Sequence, residues 1–129
     1  MKDAIGRAKG LGSAHEGTHH WWMQRVSAVA LIPLTFWMTI SLRATLGQER
    51  EVAVTWFGHP VAALALVAVV VIATYHTLLG LQVVFEDYVH TDWVRVVSLW
   101  GVRFIFFMLM GMALFSVIIM VFQRFMHVN

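Results

Sequence analysis

The apolar stretch PVAALALVAVVVIATYHTLLGLQVVF, at residues 60–85, decides the fold. It holds 26 residues without Asp, Glu, Lys or Arg. A helix of that length rises about 39 Å, whereas the hydrocarbon core of a bilayer is about 30 Å thick. The stretch therefore predicts a transmembrane helix that crosses with some tilt.

Two shorter uncharged stretches predict further spans, with 17 residues at 26–42 and 19 residues at 104–122. Trp21 and Trp22 precede the first of them, as is typical of a membrane interface. The chain is therefore predicted to be an all-α membrane protein with three transmembrane helices. The predicted spans are residues 22–43, 60–86 and 96–123, within an anchor domain at 21–129 that follows a loosely structured cytoplasmic arm at 1–20.

The composition supports the same class. The 129 residues are 60% hydrophobic and 12% charged, and the mean hydropathy is +0.75. A soluble domain of this size cannot hide so much apolar surface. The net charge of +2 offers no basic stripe for nucleic acid. Because cysteine is absent, thiolates cannot bind an iron–sulfur cluster, and a redox metal must be held through histidine or sit on another subunit.

The basic residues predict the orientation. Six of them fall on the side of the N-terminus and three on the opposite side. The six are Lys2, Arg7, Lys9, Arg25, Arg95 and Arg103, and the three are Arg43, Arg50 and Arg124. Because short loops rich in Lys and Arg stay in the cytoplasm, we expect a cytoplasmic N-terminus and a C-terminus on the outer side.

His76 is the one histidine deep inside a predicted span. Ionisable side chains in spans usually face a cavity, a cofactor or a proton path, and a neutral imidazole is a good axial ligand for haem iron. A haem with two histidine ligands would then take its second ligand from another polypeptide. The alternative is a packing histidine that bonds to a neighbouring span.

An acid–acid–phenol step, Glu86-Asp87-Tyr88, follows where the same span ends. Helix geometry places Asp87 about 20° from His76 in projection and about 16 Å along the axis. A phenol can donate a hydrogen bond to a carbonyl while a neighbouring carboxyl relays a proton, as quinone reduction requires. The alternative is an ordinary interfacial helix end.

Arg25 lies at the start of the first span. Its guanidinium suits pairing with the propionates of a haem, with help from His19 or His20, or it serves only as an interfacial anchor. Ser27, two residues later, is expected to bond either a neighbour or its own backbone.

The pattern His76-x3-Gly80-x6-Asp87-Tyr88-Val89 resembles that of the hydrophobic membrane anchor subunits of succinate dehydrogenase, respiratory complex II. The segment GSAHEGTHHWWMQRVSAVALIPL at residues 12–34 is similar to the start of the alphaproteobacterial form. The resemblance implies a multi-pass subunit of the bacterial inner membrane with a periplasmic C-terminus, without activity on its own.

The resemblance also implies the cofactors and partners. A b-type haem would be shared with a second, cytochrome b-type anchor subunit, with His76 as one axial ligand and Arg25 and His19 near the propionates. Tyr88 and Asp87 would bind a quinone, expected to be ubiquinone. FAD and the iron–sulfur clusters would belong to the flavoprotein and iron–sulfur subunits.

Two other functions stay open from the residues alone. One is a purely structural anchor that touches neither haem nor quinone. The other is a small transporter or proton-channel subunit with a polar path through His76, Gln82 and Asp87. Residues 61–72 disfavour this path because they are uniformly apolar.

Overall fold

The computed structural model describes the backbone of residues 14–128 and the side chains of residues 17–128. This part of the chain forms four α-helices and no strand. The helices are α1 (Ala14–Thr45), α2 (Arg50–Phe57), α3 (Pro60–Tyr88) and α4 (Asp92–Val128). Three of them, α1, α3 and α4, are long and apolar enough to cross a membrane. The predicted all-α class with three candidate membrane spans is confirmed for the described residues.

Two features differ from the prediction. Helix α1 begins at Ala14, so residues 14–20 are helical rather than loose. In this extension His20 has its Nε2 buried. Residues 1–13 of the predicted arm lie outside the described residues. Helix α2 lies in the connection between the first two predicted spans, where no helix was predicted.

Helix α3 is the centre of the bundle. Helix α1 packs on one of its sides and α4 on another, and within the described residues α1 and α4 share no helix–helix contact. The chain direction alternates from span to span. We call the end with Tyr88 and the starts of α1 and α4 the Tyr88 end. The opposite end, with α2 and the start of α3, is the Gly58 end.

Local sequence explains where the helices stop and start. Gly47 has a φ of 79° and ends α1, since the left-handed conformation is open to glycine. Helix α3 starts at Pro60, and the His59 ring accepts a hydrogen bond of 3.3 Å from the Val61 amide. A short loop at residues 89–91 joins α3 to α4. Such short connections fix the spans as antiparallel neighbours.

The apolar core lies entirely in the half of the bundle near the Gly58 end. Phe57, Ala63, Leu66 and Val117 are buried together there, and partly buried residues such as Trp37 pack around them. Helix α2 joins this core through its own apolar face. Near the Tyr88 end, by contrast, the buried side chain in the described region is that of a serine, Ser27. The fully buried apolar core of the described chain is therefore confined to one half of the bundle.

The corner between α2 and α3 sits directly against α4. A Cβ on Gly58 would lie 2.6 Å from the Val54 carbonyl oxygen and 2.7 Å from that of Met120. The Arg124 guanidinium also donates a hydrogen bond to the Thr55 carbonyl. Because backbone atoms surround it, this corner has no room for a side chain.

Gly58→Ala is expected to destabilise the fold by about 1–3 kcal/mol, because backbone must shift to admit the methyl group. Thermal unfolding of the purified protein in mild detergent measures the loss. Gly111→Ala is the matched control, since a Cβ at Gly111 meets nothing within 4 Å. Equal unfolding temperatures for the two variants would contradict the close approach.

The predicted orientation can be tested with single cysteines, because the chain has none of its own. Gln48 at the Gly58 end and His90 at the Tyr88 end are both exposed. A membrane-impermeant maleimide added from the periplasmic side is expected to label Gln48→Cys and to spare His90→Cys. Both should react after lysis, and the reverse pattern in intact membranes would invert the topology.

Candidate functional site

His76 faces α1 and contacts a buried hydroxyl there. Its Nδ1 lies 2.9 Å from Ser27 Oγ, and Ser27 is only 5% exposed. The same hydroxyl donates to the Gln24 carbonyl at 3.0 Å, so Ser27 also bonds the backbone of its own helix. His76 Nε2 makes no hydrogen bond within the described residues. The contact with α1 thus uses one ring nitrogen and leaves the other available.

A polar face of α1 continues from Ser27 toward the Tyr88 end. His20, Gln24 and Ser27 are spaced four and three residues apart, which places them on one side of the helix. The Gln24 amide nitrogen would lie 3.5 Å from a Cβ on Gly80, so this side packs on α3. His20 Nε2 and Gln24 Oε1 are buried without a hydrogen-bond partner among the described residues.

Sequence reasoning missed this face. It named the three residues only singly or not at all, although their spacing in the otherwise apolar span was the available signal. Two buried polar atoms without partners are costly inside a membrane. We call this contact between α1 and α3 the polar seam. It therefore has polar atoms that require hydrogen-bond partners beyond those that the described chain supplies.

Arg25 and His19 do not lie beside His76. Helix rotation places Arg25 about 160° from Ser27, on the open side of α1. Its guanidinium stacks over the Trp21 ring, 4.5 Å from the centroid, and the side chain is exposed. His19 is exposed as well. Both residues are placed to contact a group that approaches from outside this bundle.

The structure separates the two acids at the end of α3. Glu86 accepts a hydrogen bond of 2.8 Å from Gln82, which accepts one of 3.1 Å from Arg103 on α4. Asp87 is exposed and has no such partner in the described part of the chain. Glu86 therefore serves the contact between helices, and Asp87 remains free for other chemistry.

Tyr88 is 78% exposed at the last residue of α3. Helix rotation turns it about 120° from His76, whereas Asp87 lies nearly on the His76 side. Gln82, which bonds to α4, is turned by about 120° in the other direction. Tyr88 thus points away from both neighbouring helices, and its phenol makes no hydrogen bond within residues 17–128.

The same geometry disfavours a continuous polar path for ion or proton transport. Gln82 faces α4 and His76 faces α1, so the two do not line one route. A groove of about 840 Å³ lies at the Gly58 end, among Trp37, Trp56 and His59, far from both residues. The structure therefore gives the channel hypothesis no support.

The donor set around His76 fits a shared metal group. No cluster of three or more His, Asp or Glu side chains that could hold a metal ion occurs between residues 17 and 128. His76 offers one neutral imidazole nitrogen, the donor that haem iron takes at an axial position.

Comparison with known proteins supplies the family. The model of the succinate dehydrogenase/fumarate reductase transmembrane subunit family matches residues 1–110. The chain belongs to this family. The match covers α1, α2 and α3 entirely, including Ser27, His76 and Tyr88, and it ends within α4.

Individual members of the family are similar over most of the chain. The succinate dehydrogenase hydrophobic membrane anchor subunit of Rickettsia bellii (strain RML369-C) is 33% identical over 91 residues, 70% of this chain and 73% of the relative. The subunit of the same description from Paracoccus denitrificans is 41% identical over 81 residues, 63% of each chain. The succinate dehydrogenase membrane anchor subunit of Reclinomonas americana is 31% identical over 94 residues, 69% of this chain and 77% of the relative. No solved structure matches the chain significantly.

Proposed function

We propose that this chain, a membrane anchor subunit of succinate dehydrogenase, holds one axial position of a b-type haem through His76. We further propose that it forms part of a quinone reduction site through Tyr88 and Asp87. The observation that carries the proposal is the imidazole of His76 inside α3, with Nδ1 bonded to Ser27 and Nε2 free of hydrogen bonds within the described residues.

A haem here would sit between this bundle and a second, cytochrome b-type anchor subunit, which would provide the other axial ligand. When bound, the haem would take up and release single electrons. His76 would hold the iron from α3. Arg25 and His19 would approach the propionates from the open side of α1, where the guanidinium can form two parallel hydrogen bonds to a carboxylate.

The quinone site would form at the Tyr88 end. Tyr88 can donate its phenolic hydrogen to a quinone carbonyl, and Asp87 beside it can pass on protons from water. Both side chains are exposed, and Tyr88 points away from α1 and α4, so neighbouring subunits would enclose the ligand. The apolar surface of the bundle would let a lipid-soluble quinone, expected to be ubiquinone, reach this end from the bilayer.

The remaining chemistry belongs to other subunits. Succinate would be oxidised at FAD on the flavoprotein, and the iron–sulfur subunit would carry the two electrons to the quinone, which also takes two protons. In the predicted orientation the Tyr88 end lies at the cytoplasmic surface of the bacterial inner membrane, where soluble subunits and protons are available. This chain contributes position and proton transfer and is not active alone.

A purely structural anchor is the second candidate. The observation that favours it is the Ser27–His76 hydrogen bond, because it also satisfies a histidine that only packs. In such an anchor, His76 Nε2 and the exposed side chains of Asp87 and Tyr88 would have no function. The two functions differ in what happens to haem and to quinone kinetics when single side chains are changed.

His76→Ala is expected to remove the haem or loosen it severely, because one of the two iron ligands is lost. The complex is purified in mild detergent, and its dithionite-reduced minus oxidised spectrum measures the haem per flavin. His127→Ala is the matched control, since His127 is exposed in the last turn of α4. An unchanged bis-histidine spectrum in the His76 variant would favour the structural anchor.

Tyr88→Phe is expected to lower the succinate:quinone reductase rate by about 10-fold or more, because one hydrogen-bond donor to the quinone is lost. Succinate oxidation with an artificial acceptor at the soluble subunits should be unchanged. The other tyrosine of the chain supplies the control, Tyr75→Phe, in the groove between α3 and α4. Equal losses in the two assays would indicate an assembly defect and contradict the assignment.

A further inference from the structure

We infer that Ser27 is the positioning residue of His76, which selects the ring tautomer and fixes the ring orientation needed for a metal bond through Nε2. The inference rests on the proposed function, in that it takes His76 to be a haem ligand. It assigns a role to a residue of α1 that does not itself touch the iron.

The single hydrogen of the Ser27 hydroxyl decides the direction of the bond to His76. A serine hydroxyl carries one hydrogen, and Ser27 donates it to the Gln24 carbonyl at 3.0 Å. In the 2.9 Å contact with His76, Ser27 Oγ is therefore the acceptor and Nδ1–H is the donor. A neutral imidazole with its hydrogen on Nδ1 carries its lone pair on Nε2. This is the tautomer that an Nε2-bound metal requires.

Ser27 also restrains the orientation of the His76 ring. Ser27 is nearly fully buried, and its bond to Gln24 ties Oγ to the backbone of its own helix. The acceptor is thus held in one place relative to α1. The apolar side chains that are fully buried in the described chain all lie in the other half of the bundle. The hydrogen bond to Ser27 is the specific contact that holds the ring.

The Ser27–His76 bond would also affect the reduction potential of the haem. A hydrogen bond accepted from Nδ1–H makes the imidazole a stronger electron donor at Nε2. Stronger donation favours ferric over ferrous iron and lowers the reduction potential of the haem, since bonds around the axial ligand are one of the protein's means of tuning it. Loss of the Ser27 acceptor is therefore expected to raise the potential.

Two substitutions separate hydrogen bonding from packing. Ser27→Ala removes the acceptor and leaves a small void. Ser27→Cys keeps nearly the same volume but replaces the oxygen by sulfur, a weak acceptor, and the absence of other cysteines in the chain prevents an internal disulfide. Ser116→Ala is the control, because the exposed Ser116 bonds only the Met112 carbonyl within α4.

The experiment uses the whole complex purified in mild detergent. We would measure the haem per flavin, the haem midpoint potential by redox titration, and the g values of the low-spin ferric EPR spectrum. The g values respond to the orientation of the axial rings. Both Ser27 variants are expected to raise the midpoint potential and to change the g values. In Ser27→Cys the haem is expected to remain bound. Ser116→Ala should match the unmodified complex in all three.

Three results would overturn the inference. The first is an unchanged midpoint potential and EPR spectrum in both Ser27 variants. The second is a Ser27→Cys complex identical to the unmodified one while Ser27→Ala differs. The third is a shift of the midpoint potential in Ser116→Ala equal to that in the Ser27 variants. The second would make Ser27 a packing residue only. In each case loss of haem in His76→Ala would leave the proposed function intact, whereas retention of a normal haem in that variant would remove the proposed function itself.

Discussion

A polar side chain inside the hydrocarbon of a bilayer must find its partner within protein, and the hydrogen bond between His76 and Ser27 meets this constraint. It ties the central helix α3 to α1 at one register. With that register set, Gln24 lies over Gly80, where the missing side chain allows the helices to approach. The His76–Ser27 contact and the Gln24–Gly80 approach are two specific α1–α3 contacts near His76 that involve polar groups.

The two halves of the bundle divide stability from chemistry. At the Gly58 end, apolar side chains from several helices pack together, and the α2–α3 corner presses on α4 without room for a methyl group. At the Tyr88 end the seam between α1 and α3 is polar, and the acid–phenol pair is exposed. A rigid apolar half allows the other half to keep unsatisfied polar atoms that a complex of several subunits can use.

Much of this could be predicted from the sequence, for physical reasons. Charge-free stretches long enough to cross a bilayer have few alternatives to helix, so the three spans and the depth of His76 were accessible. Helix α2 was not, because it is short and depends on packing of Val54 and Phe57 at the Gly58 end. Nor could the sequence distinguish Glu86 from Asp87, since the difference comes from Gln82 and Arg103 across the α3–α4 contact.

The central place of α3 has a consequence for biosynthesis. Helix α1 is made first, yet the residues that complete its polar seam, His76 and Gly80, lie about 50 residues further along the chain. At ribosomal speeds of about 5–20 residues per second, this nascent segment waits for several seconds. During that time Gln24 and Ser27 face lipid or the insertion machinery rather than their final neighbour. Stable lateral release of α1 into the bilayer is therefore expected to await the emergence of α3.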